Sequence, residues 1–170
     1  MKFKEKLEEM LNSIEFKESE SKVFRCRFSG REYFNRENYF NLILEYLFEQ
    51  DFIFSEENER SIFMTLSEII LNSQVYGCQE KDILYVAVSA YCGSKGIVFH
   101  IKDEGNGFDY KNKLGERRME LDKYDRYKFL FSKESLTKSG QGLFCLLTFP
   151  DDFKYNRRGN EIFIKFNLKK

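Results

Sequence analysis

A carboxylate followed by two glycines closes the run Ile97–Asp109, IVFHIKDEGNGFD. Ile97, Phe99 and Ile101 share one parity and Asp103 falls on it, so on a strand the acid points where the core residues point. A carboxylate placed that way must be solvated, paired or bound to something. Gly105 and Gly107 then allow positive φ and close approach of a ligand. A second glycine pair, in Ser139-Gly140-Gln141-Gly142-Leu143-Phe144, opens an apolar helix that runs through Leu147. Backbone N–H groups at a helix start favour phosphate. The third group is Glu68 and Asn72, four residues apart and hence stacked on one helix face. Met64 and Leu71 flank that face and argue against simple exposure. Taken singly, each group also reads as an ordinary polar turn or solvated helix face.

The elements that must carry these groups can be read from periodicity. Leu7, Met10, Leu11 and Ile14 give residues 1–18 one narrow apolar stripe, a helix that must dock on the body or on a partner. Lys22–Phe28 reads as a strand, and Glu32–Gln50 as a helix apolar over more than half its circumference. Ser55 caps a further helix ending at Gly77, with Ile62, Phe63, Leu66, Ile69, Ile70 and Ser73 on its main stripe. Ile83–Cys92 is apolar on both parities, the mark of a strand interior to a sheet. The turn Gly93-Ser94-Lys95-Gly96 returns it as a hairpin through Asp103. Residues 108–138 are charged and irregular, too long for a plain connection, and read as a lid with a weak helical pattern over Glu116–Phe131. Phe153–Tyr155 and Ile162–Leu168 form a last hairpin about Arg157-Arg158-Gly159-Asn160.

Composition excludes several function classes. The 170 residues suit one domain. The 28 basic and 28 acidic residues cancel, leaving no electrostatic footprint for nucleic acid or an anionic membrane. No apolar run is long enough to cross a bilayer, and the charged N-terminus lacks the apolar centre of a secretory signal. Cys26, Cys78, Cys92 and Cys145 show no metal or redox spacing and read as buried, reduced thiols of a cytoplasmic protein. The single His100 has no partner set for a metal-dependent hydrolase or a Ser/His triad. The 17% aromatic content goes with abundant Lys and Asn and scarce Ala and Pro, a codon bias rather than a binding surface.

The common nucleotide signatures G-x-x-x-x-G-K-[ST] and G-x-G-x-x-G are missing. Present in order are Glu-x-x-x-Asn on a helix, a strand ending Asp-x-Gly-x-Gly, a variable segment, and Gly-x-Gly opening a helix. This set resembles the GHKL ATPase superfamily of gyrase and the histidine kinases. The phrases FMTLSEIILNSQVYG, IKDEGNGFD, SGQGLF and GNEIFIKF look most like its anti-sigma-factor serine kinases, over about residues 20–168.

The resemblance implies an α/β (α+β) two-layer sandwich, with helices on one face of a mixed, mostly antiparallel sheet. It implies one ATP-binding domain over 1–170, with a helical extension at 1–20 and an ATP lid at 108–138. Asp103 resembles the acceptor of the adenine amino group, and Gly105 and Gly107 the glycines beside the base. Asn72 resembles the Mg²⁺ ligand, and Glu68 the general base that activates the attacking hydroxyl or water. Gly140, Gln141, Gly142 and Leu143 occupy the phosphate-binding turn. Three positions depart from the pattern: Tyr76 replaces a frequent histidine or lysine, and Gln141 a frequent basic or apolar residue. The threonine near the last hairpin has no clear equivalent in Gly159-Asn160-Glu161. An arginine lost at Gln141 weakens charge neutralisation at the phosphates. His100 lies mid-strand, so a self-contained sensor histidine kinase is not expected.

The implied activity is that of a protein serine/threonine kinase, a transferase in transcription regulation that uses ATP and Mg²⁺ on a small antagonist protein. A sigma factor is the alternative partner, and a homodimer is left open. The competing expectations are a nucleotide-binding interaction module with little turnover and a purely structural domain.

Overall fold

The computed structural model describes residues 2–17, 23–29, 41–43, 45–47, 55–73, 85–121 and 141–167. The alternating runs become β1 (Val23–Ser29), β2 (Tyr85–Gly93), β3 (Gly96–Asp103), β4 (Asp152–Tyr155) and β5 (Glu161–Asn167). They form one sheet in the order β1-β2-β3-β5-β4. Every pairing among the described residues is antiparallel, in keeping with the mostly antiparallel sheet expected. Short turns join β2 to β3 and β4 to β5, and a turn of that length can only return the chain antiparallel.

Helices form at α1 (Phe3–Ser13), α2 (Glu56–Asn72), α3 (Tyr110–Leu121) and α4 (Gln141–Thr148), and residues 41–43 and 45–47 are helical too. Ser55 caps α2 as expected, its Oγ accepting from Asn58 N–H at 3.3 Å. The remainder of the helix expected over Glu32–Gln50 and the segment around Gly77 lie outside the described residues. The helix in the lid stretch starts earlier than its periodicity suggests, because Asp109 caps it. The Asp109 carboxylate accepts from Asn112 N–H at 3.3 Å and from the Asn112 amide at 2.5 Å. Residues 122–138 lie outside the described residues.

The core sits between the helices and one face of the sheet. Val86, Val88 and Ala90 of β2 join Ile97, Phe99 and Ile101 of β3 and Ile162 and Ile164 of β5 there. Ile62, Leu66, Ile69 and Ile70 of α2, Leu114 of α3 and Leu146 of α4 cover them. This is the two-layer α/β sandwich that the sequence implies.

The opposite face is not bare, because the helical extension expected at 1–20 docks there. Met10 and Ile14, at α1 and just beyond it, bury against Val98 and Phe163, which point away from the main core. Phe3 stacks on Phe163 with ring centroids 4.3 Å apart. Lys6 pairs with Asp152, and Glu15 with Lys95 at 2.5 Å. The β2–β3 turn receives the end of this helix closely: a Cβ at Gly93 would strike the Ile14 carbonyl, and Lys95 N–H donates to that same oxygen at 3.1 Å. The narrow stripe thus docks on the body, because β3 and β5 offer apolar residues on both parities.

Candidate functional site

The three groups of polar residues and glycines come from separate elements, and the sheet register brings them to one end of the core. Asp103 is the last residue of β3, paired across the strands with Val86. Its parity delivers the carboxylate to the helix side of the sheet, where it is 7% exposed. Gly105 N–H donates to Asp103 Oδ1 at 2.8 Å, closing a two-residue turn. The Ser73 side chain also hydrogen-bonds to the carboxylate. Burial raises the Asp103 carboxyl above its ordinary 3.8, against the Gly105 and Ser73 hydrogen bonds and the charge of Arg158.

A cavity of about 360 Å³ opens beside it, in the size range of small-molecule sites. Asn72, Asp103, Gly107 and Leu143 line it, so residues from all three groups meet at one cavity. Ile69, Ile101 and Ile162 supply an apolar floor, while Phe108 and Tyr155 stand at the side, edge to face at 5.4 Å. Tyr110 stacks on Tyr155 at 5.0 Å, extending the aromatic wall onto α3.

The glycines divide by role. Gly107 takes φ +75°, and a Cβ there would strike the Arg158 carbonyl. Gly105 does not take positive φ, contrary to expectation; it is buried, and its part is the N–H that holds Asp103. Gly142 lies where α4 crosses α2, and a Cβ there would strike the Asn72 amide and sit 3.4 Å from Glu68 Cβ. Gly140 and the Gln141 side chain lie outside the described residues. Gly142→Ala is expected to keep the fold, since only the end of a flexible amide must yield. A melting temperature close to that of wild type checks this.

Glu68 sits one turn before Asn72 on α2, half-buried and outside the cavity lining. It faces α4: burial pushes the Cys145 thiol up to about 12, and the Glu68 charge adds to that push. Cys92 and Cys145 are buried free thiols, as expected.

The cavity also holds residues that periodicity did not single out. Lys113 and Arg117, four apart on α3, both line it. The Arg117 guanidinium lies 5.1 Å from the centre of the Phe144 ring on α4. Two basic residues therefore border a site whose Gly-Gln-Gly turn lacks one, although Lys113 Nζ is also paired with Glu116 at 3.2 Å. Asn160 lines it from the β4–β5 turn. The Asp-x-x-Asn cap at 109–112 was the signal that could have placed Lys113 and Arg117 on a common helix face.

Residues 40–166 match the histidine kinase-like ATPase domain family, most of the chain and all of the cavity. The chain belongs to that family. No curated protein matches alongside it. As a histidine kinase-like ATPase domain the chain is an ATP-binding protein of the GHKL type. The chemistry at the cavity suits ATP: apolar and aromatic lining, a buried carboxylate, and basic residues of α3. The Asn72 amide at the cavity could offer an oxygen to Mg²⁺, which prefers oxygen ligands and keeps waters and substrate phosphates in its shell. Among the described residues no group of three His, Cys, Asp or Glu could hold a metal, and no helix is long and apolar enough to cross a membrane.

Proposed function

We propose that this ATP-binding domain is a protein serine/threonine kinase of anti-sigma-factor type, phosphorylating a small antagonist protein in a partner-switching system. The observation that carries the reading is the meeting of Asp103, Asn72 and Leu143 on one cavity, with Glu68 one turn behind Asn72. Asp103 would accept from the adenine amino group, and Gly105 and Gly107 would shape the turn beside the base. Asn72 would hold Mg²⁺, which when bound neutralises phosphate charge. Gly140, Gln141 and Gly142 would present backbone to the phosphates. Glu68 would take the proton from the partner's serine hydroxyl. A sigma factor would be the alternative partner, and the setting the cytoplasm. The test is incubation with Mg-ATP and a candidate antagonist, read by mass: addition of one phosphate to a serine supports the kinase, and its absence with every candidate overturns it.

One observation favours a second reading, a nucleotide-binding interaction module with little turnover: Glu68 does not line the cavity. The same experiment separates the two, since the module binds ATP and antagonist without transfer.

Lys113 and Arg117 take over the charge neutralisation that Gln141 does not supply. Arg117→Ala is expected to weaken ATP about fivefold, ~1 kcal/mol, and to leave adenosine affinity unchanged, both by calorimetry. Equal loss for both ligands would place Arg117 away from the phosphates.

A further inference from the structure

We propose that Asn160 is the positioning residue for Asp103, and that the β4–β5 turn is a clasp on which recognition of the nucleobase amino group depends. This rests on the reading of Asp103 as the acceptor of that group.

The ladder between β3 and β5 runs to the pair Lys102 and Glu161, so Asp103 would next face Asn160. In a continued antiparallel ladder the two residues would exchange both backbone hydrogen bonds. Only one of these forms: Asp103 N–H donates to the Asn160 carbonyl at 3.0 Å. Asn160 N–H turns instead to Asn156 Oδ1 at 3.3 Å, which also accepts from Gly159 N–H at 2.7 Å. The missing donor is replaced by a side chain, as Asn160 Nδ2 donates to the Asp103 carbonyl at 3.0 Å. The site acid therefore takes its backbone position from an amide that is itself 8% exposed.

That amide is held in one orientation. Asn156 Nδ2 donates to Asn160 Oδ1 at 2.9 Å, so the oxygen of Asn160 is engaged and its nitrogen must face Asp103. Asn156 Nδ2 also reaches Glu161 Oε2 at 3.3 Å, and Asn156 N–H donates to the Glu161 carbonyl at 2.8 Å. Arg158 grips the far end of the glycine turn, with Nε on the Asn106 carbonyl at 3.1 Å and Nη2 on Asn106 Oδ1 at 2.9 Å. Close backbone approach seals the clasp on both sides. A Cβ at Gly107 would strike the Arg158 carbonyl, and a Cβ at Gly159, which has φ +82°, would strike the Phe108 carbonyl. A connected hydrogen-bond network rigidifies what it holds, and its contact to Asp103 is the buried one. What it holds here is the backbone of Asp103, from which the carboxylate reaches the cavity lining.

The decisive probe is inosine triphosphate, which carries a carbonyl where adenine carries its amino group. Wild type is expected to prefer ATP by about ten- to a hundredfold, the worth of a hydrogen bond to a charged acceptor. Asn160→Ala removes the donor to Asp103, and Asn156→Ala removes the group that orients it. Each is expected to weaken ATP about tenfold while inosine triphosphate changes less than about twofold, so the preference shrinks. Melting of the nucleotide-free variants confirms folding, and should Asn160→Ala fail to fold, Asn156→Ala decides. Equal loss for both nucleotides, or an ATP preference kept intact in the folded variants, overturns the clasp and leaves the Asp103 reading standing. A wild type without preference overturns both.

Discussion

Glu68→Gln is expected to bind Mg-ATP nearly as wild type does and to lose phosphotransfer by about 10²–10⁴-fold, the usual worth of a general base. The substitution keeps the volume on α2, so the packing against α4 at Gly142 stays as it is. It removes the only property the proposed role needs, a carboxylate able to take a proton. Asn72→Ala is the complementary case. Asn72 lines the cavity and would give an oxygen to Mg²⁺, so this variant should lose affinity for Mg-ATP itself. Calorimetry for binding and mass for phosphate transfer separate the two. Undiminished transfer by Glu68→Gln, in an assay where wild type transfers, removes Glu68 from catalysis. A wild type that binds ATP and antagonist without ever transferring phosphate decides for the interaction module.

Asp103→Asn is expected to reduce ATP affinity by about ten- to a hundredfold, or roughly 1.5–3 kcal/mol. The amide keeps the shape and can still accept from Gly105 N–H, but it loses the charge and can turn a donor toward the adenine amino group. The fold should not suffer. Burial raises the Asp103 carboxyl above 3.8, so its contribution to stability is fully present below that pH and is lost as pH rises through the folded value. At pH 7 the ionised acid therefore costs the nucleotide-free protein stability, and the neutral amide does not. A melting temperature at pH 7 equal to or above wild type, together with the lost affinity, is the expected pair of results. Unchanged ATP affinity would remove Asp103 from the site.

The amino-acid sequence by itself determined the elements and the aim of the main acid. Alternation in Ile97–Asp103 sets a strand and sends Asp103 to the core side whatever the rest of the chain does, because parity is a property of the strand alone. Ser55 and its helix, the Gly93–Gly96 turn and the last hairpin are equally local. The order of Glu-x-x-x-Asn, Asp-x-Gly-x-Gly and Gly-x-Gly carried the family. What only the tertiary structure decided are contacts between residues far apart along the chain. The stripe of α1 shows that the helix must dock, but which face receives it depends on Val98 and Phe163 lying diagonally across two adjacent strands. Gly142 reads as a helix start, and only the crossing of α4 over α2 shows that it clears space for Asn72. Lys113 and Arg117 read as lid charges until Leu114 docks α3 against the core and turns them toward the cavity. Asn156, Arg158 and Asn160 look like any turn between strands, because a turn preference is satisfied within four residues. Their hold on Asp103 and Asn106 spans more than fifty positions, and it exists only because the sheet sets β5 beside β3.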